Sequence, residues 1–109
     1  MENIVTVQDS DFDTSVLKSN KLVLVLFLKT TDSCPKDLWT ELEKVAEEYK
    51  DSGKIALAKT NLINCATIVK KYQIRVVPYL MCFKDGTVVA QQAGLTTRTQ
   101  IKSMIKRCL

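Results

Sequence analysis

The chain has no histidine. That absence removes Cys–His and Ser–His nucleophile pairs, the side chain that most often moves protons near neutral pH, and most zinc sites. Its four cysteines, Cys34, Cys65, Cys82 and Cys108, are scattered. No two lie two to four residues apart, so the sequence holds neither a zinc knuckle nor a C-x-x-C redox pair. No metal and no cofactor are expected. Long hydrophobic runs are also missing. The longest, Leu22 to Leu28, is far short of the roughly 20 residues that a membrane span needs. Met1-Glu2-Asn3 carries neither the basic nor the apolar region of a signal peptide, and the expectation is a cytoplasmic chain whose cysteines stay reduced. Charge of one sign is not abundant: 16 basic and 12 acidic residues leave a net +4, too mild to argue for nucleic acid. Arg98, Lys102, Lys106 and Arg107 do cluster, but they alternate with apolar residues at helical spacing, as a solvated helix face does. Neither nucleic acid nor membrane is expected as a partner.

What is there suits one globular domain spanning 1–109. The length is sufficient to bury a core without disulfide staples, and an apolar share of 46% is ordinary for a soluble domain. Ile4 to Val7 is a short strand candidate. Asp9 or Ser10 opens a helix with Phe12, Val16 and Leu17 on one face. Leu22 to Leu28 is apolar without alternation, the pattern of a central strand buried on both faces. A helix follows from about Cys34 to Tyr49, with Leu38, Leu42, Val45 and Tyr49 as its apolar stripe, closed by Asp51-Ser52-Gly53. Lys54 to Thr60 alternates and reads as a strand. Leu62 to Tyr72 reads as a helix with Leu62, Ala66 and Val69 inward. Tyr79 to Phe83 and Thr87 to Gln91 form a hairpin around Lys84-Asp85-Gly86, because Asp-Gly tolerates the positive φ such turns need. Thr97 and Gln100 suit a capping box for a last helix lined by Ile101, Met104, Ile105 and Cys108. The order β-α-β-α-β-α-β-β-α predicts an α/β fold: one mixed five-stranded central sheet flanked by four helices.

That order, with Val25 to Phe27, Glu47-Glu48-Tyr49, Lys71-Tyr72-Gln73-Ile74-Arg75-Val76-Val77-Pro78, Phe83-Lys84-Asp85-Gly86 and Ala93-Gly94, resembles the thioredoxin family over nearly the whole chain. The family's active-site loop reads W-C-G-P-C-K. Anchored on Phe27 and Glu48-Tyr49, the ungapped match puts Asp32 at the first cysteine and Pro35 at the second, with Ser33 and Cys34 between them. The resemblance implies a cis proline at Pro78 facing that loop, with the Val77 backbone open to pair with an extended substrate segment. It also implies that Gly94 lacks a side chain to permit close approach. The docking groove it implies comprises the loop from Thr31 to Cys34, Val77, Pro78, Ala93, Gly94 and Leu95. Other family features are absent. Leu26 stands where the family has a buried proton-relaying aspartate, Leu28 and Thr31 where it has tryptophans, and Thr40 where it has a kink proline.

Dithiol reduction needs a thiolate at the start of a helix and a second thiol one turn later. Asp32 and Pro35 supply neither. Two functions follow. One is a thioredoxin-like module, its reductase chemistry lost or impaired, that binds an extended protein segment in the groove. The other is a single-cysteine thiol-disulfide oxidoreductase in redox homeostasis, with Cys34 as the catalytic thiol and an external thiol such as glutathione as resolver. Glutathione or thioredoxin reductase would be a partner only in a redox-active form. Cys34 itself has more than one reading. Before Pro35, and near Lys36, it suits a low-pKa thiol in the first helical turn. Slid by two residues, Cys34-Pro35-Lys36-Asp37 resembles the glutaredoxin motif. As a filler at the motif's third position it points away from substrate, with Asp32 raising its pKa. Cys82 reads as core, Cys65 as half-exposed early in the third helix, and Cys108 as a thiol able to link two chains under oxidation. Trp39 reads as helix-flank packing, and Met81 and Met104 as core.

Overall fold

Seven consecutive apolar residues form strand β2 (Leu22–Leu28), and all seven are buried. They can be, because β2 is the middle strand of five and has helices over both its faces. The structure, a computed structural model, describes residues 4–29, 36–94 and 97–108. Around β2 lie β1 (Ile4–Thr6), α1 (Asp9–Phe12), α2 (Lys36–Tyr49), β3 (Ile55–Asn61), α3 (Ala66–Lys71), β4 (Tyr79–Lys84), β5 (Thr87–Ala93) and α4 (Arg98–Cys108). The strand order is β1-β3-β2-β4-β5. β3 runs parallel to both β1 and β2, while β4 is antiparallel to β2 and β5 to β4. This is the mixed five-stranded α/β sheet that the order of elements predicts.

One face of the sheet is aliphatic. Leu22, Leu24, Leu26 and Leu28 pack there with Leu57, Leu80 and Cys82 under α2 and α4. The two helices are pinned side by side by Arg98–Glu41 and Lys102–Glu48 pairs at 3.3 and 3.0 Å. The other face is aromatic. Val23, Val25 and Phe27 meet Phe12, Phe83, Ile68 and Cys65, and Phe83 takes Phe12 and Tyr72 edge-on at 5.5 Å each.

Local chemistry explains most element ends. Asp85 and Gly86 both have positive φ, 53° and 79°, the pair of values an Asp-Gly hairpin turn requires. Thr97 and Gln100 form the capping box of α4: the Gln100 amide donates to Thr97 Oγ1 at 3.2 Å and the Thr97 amide to Gln100 Oε1 at 2.9 Å.

Three elements differ from expectation. The first helix continues past Phe12 as a π-helical segment (Asp13–Leu17), with the Lys18 amide donating to Asp13 O at 2.9 Å. This wider turn accommodates the uneven Phe12, Val16, Leu17 spacing. Helix α3 is shorter than Leu62 to Tyr72. Asn61 Oδ1 accepts the amides of Ile63 and Asn64 at 2.9 and 2.7 Å, so the chain turns through 62–65 before the helix starts. The later start moves the inward face. Ile68 is buried, Leu62 and Val69 are half-buried, and Ala66 is exposed rather than inward. Strand β5 also runs two residues further than expected, to Ala93.

Candidate functional site

The residues of interest gather at one end of the sheet, where β2 and β3 finish, β4 begins and β5 ends. The Leu62 amide donates to Leu28 O at 3.0 Å, which carries the pairing of β2 and β3 just past their ends. Helix α3 then descends, and its two ends are finished by different means.

At its N-terminus α3 has no local cap, since Cys65 occupies the N-cap position and makes no side-chain capping bond. The cap comes from 58 residues away. Asp9 Oδ2 accepts the Thr67 amide at 3.0 Å and Oδ1 accepts the Ile68 amide at 3.2 Å. These are the amides that an N-cap side chain ordinarily takes. The Thr67 amide hydrogen bond is the main reason the Asp9 carboxyl is held below its ordinary 3.8. No local sequence signal points to this contact.

At its C-terminus α3 ends in a Schellman motif. The Ile74 amide donates to Val69 O at 3.0 Å and the Gln73 amide to Lys70 O at 3.3 Å, with Gln73 at φ 55°. Buried Ile74 anchors the motif, and the chain is thereby aimed back toward the sheet end as Arg75-Val76-Val77-Pro78.

The Val77–Pro78 peptide bond is cis. Pro78 O accepts the Gly94 amide at 2.8 Å, and Tyr79 is in register with Ala93. Val77, Pro78, Ala93 and Gly94 are therefore brought together. Val77 and Pro78 are half-buried, whereas Val76 is 52% exposed. Gly94 has φ +81°, and a Cβ there would meet nothing within 4 Å among the described residues. Its positive φ is by itself a reason for glycine at this position. Thr31, Asp32, Ser33, Cys34, Pro35 and Leu95 lie outside the described residues.

Beneath this end, Leu26 of β2 is in register with Lys59 of β3. The Lys59 ammonium sits 4.4 Å from the centroid of the Trp39 ring, a cation–π contact. Trp39 does pack on the flank of α2 against the aliphatic core, and it also supplies the partner of this half-buried amine.

The described cysteines sort by burial. Cys82 and Cys65 are both 0% exposed. Burial pushes the Cys82 thiol up to about 12 and the Cys65 thiol up to about 11. The expectation that Cys65 is half-exposed is thus wrong. Its position before a shortened helix turns it under α1, beside Asp9 and Thr60. Cys108 is half-buried at the far end of the molecule, where its carbonyl accepts Lys84 Nζ at 3.0 Å. Among the described residues there is no group of three or more side chains able to hold a metal ion, and no helix is long and apolar enough to cross a membrane.

Comparison with known proteins agrees with this architecture. The thioredoxin family model matches residues 3–107. Thioredoxin C-2 of Corynebacterium nephridii is 36% identical over 102 residues, covering 94% of this chain and 93% of that protein. A thioredoxin of Pseudomonas aeruginosa is 34% identical over 104 residues, covering 95% and 94%. One from Haemophilus influenzae is 27% identical over 107 residues, with 98% of each covered. A mixed sheet with this order of elements, and a proline loop beside a glycine at the sheet end, make this an α/β protein of thioredoxin-like fold. The chain belongs to the thioredoxin family.

Proposed function

We propose that this chain is a thioredoxin-family protein that has kept the docking groove at the sheet end and has lost, or greatly reduced, dithiol reductase chemistry. Its task is to bind a protein segment in extended conformation. The groove residues are Val77, Pro78, Ala93 and Gly94, together with Thr31 on the loop. Asp32, Ser33, Cys34 and Pro35 form a degenerate motif in place of C-x-x-C.

The observation that carries this reading is the distribution of thiols. Cys34 is the one cysteine in the motif, and dithiol turnover requires a second thiol to resolve the mixed disulfide. Cys65 and Cys82 are fully buried with raised thiol pKa values, so neither is a competent nucleophile. The Cys108 thiol lies against the Val89 carbonyl of β5 at 3.9 Å. Ala93, where β5 ends, is four residues further along that strand, roughly 14 Å by strand rise. The pairing of Pro78 with Gly94 and of Tyr79 with Ala93 supports the docking half of this reading.

The test is disulfide reduction. With NADPH and thioredoxin reductase, insulin reduction is expected at less than about a tenth of the rate of a C-x-x-C thioredoxin measured side by side, a loss of more than about 1.4 kcal/mol in transition-state stabilisation. A rate within tenfold would overturn the reading. Turnover that appears with glutathione and vanishes in Cys34→Ser would establish the monothiol oxidoreductase instead.

A further inference from the structure

Two thiols share the aliphatic face of the sheet: Cys82 lies within its buried core and Cys108 packs against that core. The docking reading uses neither. Helical spacing puts Cys108 on the inward stripe of α4, after the buried Ile101, Met104 and Ile105. Cys82 projects from β4 on the face that α4 covers, as Leu80 does two residues earlier.

Contacts on both sides fix where the helix end sits. Lys84, two residues past Cys82 and on the same face of β4, donates from Nζ to the Cys108 carbonyl at 3.0 Å. On the β5 side, Cys82 is in register with Ala90 and Phe83 with Val88, so Val89 between them is a bulge. The Cys108 thiol lies 3.9 Å from the Val89 carbonyl. Cys108 therefore stands over the β4–β5 pair at the level of Cys82, and the side chain directly across from Cys82 is only the methyl group of Ala90. The electrostatics agree. Burial raises the Cys82 thiol most, and the neighbouring Cys108 thiolate raises it next.

We propose that Cys82 and Cys108 form a thiol pair that hydroperoxides close to an intramolecular disulfide, tying the last turn of α4 to β4. Cys108, half-buried, is the member that solvent reaches, whereas Cys82 is sealed. The Cys108 sulfur attacks a peroxide oxygen and the O–O bond breaks. Cys108 becomes a sulfenic acid, and the peroxide leaves as an alcohol, or as water from hydrogen peroxide. The Cys82 sulfur then attacks the Cys108 sulfur, the S–O bond breaks, and hydroxide leaves with the Cys82 proton as water. Together the two thiols lose two electrons and two protons, and the peroxide accepts them. Closed to outside reagents, Cys82 reacts only with an electrophile carried to it, and Cys108 carries one. Helix α4 ends at Cys108. Helix ends fray, so the approach to bonding distance falls on the most adjustable turn. A fixed neighbour also outcompetes a second chain in dilute solution. The internal bond thus displaces the link between two chains that the sequence allows at Cys108.

The experiment treats the reduced full chain, in dilute solution, with a small excess of hydrogen peroxide. Remaining thiols are blocked with iodoacetamide in urea, and the protein is digested with trypsin without reductant. Trypsin cuts after Arg75, Lys84 and Arg107, so the expected product is the peptide Val76–Lys84 linked to Cys108-Leu109. That species should account for most of the oxidised protein. The closed form should unfold at higher urea than the reduced form, and a phosphine reductant should abolish the difference. Cys108→Ser should leave Cys82 reduced under the same peroxide. Cys82→Ala should leave Cys108 as a sulfenic acid that dimedone captures. The wild-type chain alone decides the pairing, whether or not either variant folds. Peroxide applied in urea above the unfolding midpoint is the control, and pairing there should scatter over the four cysteines. A main product that joins Cys108 to a second copy's Cys108 or to Cys34, or a Cys82 that carries iodoacetamide throughout, would overturn the proposal. So would a native pattern as scattered as the unfolded one. Oxidation of Cys82 at an undiminished rate in Cys108→Ser would overturn Cys108 as the thiol of entry.

Discussion

Against one face of the sheet lie α2 and α4, regular helices of 14 and 11 residues. Against the other lie a four-residue α1, a five-residue π-helical segment and a six-residue α3. Regular helices can cover a sheet with interchangeable aliphatic side chains, because their stripe is set by periodicity alone. Short, irregular pieces cannot nucleate by themselves. They are held by particular contacts: the edge-on ring packing of Phe12, Phe83 and Tyr72, and the Asp9 carboxylate at the N-terminus of α3. The irregular face is also the one that delivers Arg75 to Pro78 to the sheet end. The site therefore depends on the face whose stability rests on fewer and more specific contacts.

Thiol labelling tests this contrast most strongly, because each face buries one cysteine. In a Cys34→Ser, Cys108→Ser background at about pH 8, Cys65 and Cys82 should react with an aromatic disulfide reagent at least about a hundredfold more slowly than a free thiol of pKa near 8.5. With burial pushing these thiols up to about 11 and about 12, the thiolate fraction is small even before access is considered. In urea below the unfolding midpoint, Cys65 under α3 should become reactive before Cys82 under α4, as local opening of the weaker face predicts. Simultaneous exposure, followed by mass spectrometry of the labelled peptides, would mean that the faces open as one unit.

Core truncation comes next in size. Phe83→Ala should cost about 4 kcal/mol and Leu42→Ala about 3 kcal/mol in urea denaturation. Phe83 is the larger residue, and its loss also leaves Phe12 and Tyr72 without their ring partner. If Leu42→Ala proves the costlier change, the aromatic cluster does not dominate its face.

The Asp9 cap contributes less. Asp9→Ala should lower stability by about 1 kcal/mol at neutral pH. The sign of its pH dependence follows from the lowered carboxyl pKa. A group depressed in the folded state contributes fully above its unfolded value, near 3.8, and the contribution is lost as pH falls through the folded value. The gap between wild type and Asp9→Ala should therefore be constant from about pH 7 to pH 5 and shrink in more acidic solution. A gap that widens with acid would contradict the capping role. The smallest effect should be at Gln73, a non-glycine residue at φ 55°. Gln73→Gly should raise the melting temperature slightly, by about 0.5 kcal/mol of stability, since relief of the left-handed strain outweighs the added unfolded-state entropy of glycine.

How much was legible divides along the same line as the two faces. The central position of β2 followed from seven apolar residues without alternation. The aliphatic stripe of α2 followed from Leu38, Leu42 and Val45, and the hairpin from Asp85-Gly86. Each is a pattern within a few residues. The third helix was misread because an Asx turn at Asn61 competes with helix for the same amides, and propensity does not say which wins. Burial of Cys65 and exposure of Ala66 were lost with that boundary. The pairing of Lys59 with Trp39 was equally hidden, for it needs the register of β3 and the seating of α2 together.

Contacts between residues one to four apart are written in the chain, since backbone geometry alone sets which side chains meet. The capping of the α4 N-terminus by Thr97 and Gln100 belongs to that class, and the absence of a second cysteine from the motif around Cys34 is read directly from the chain. Tertiary structure alone decided that Asp9 would cap a helix 58 residues away, and that Cys65 and Cys82 would be sealed on opposite faces. It decided too that Val77-Pro78 and Ala93-Gly94, 15 to 17 positions apart in sequence, would meet at one end of the sheet. The physical reason is closure. Such contacts exist only once the sheet has brought distant segments to one place, and no local pattern records which of many chemically suitable partners will be there.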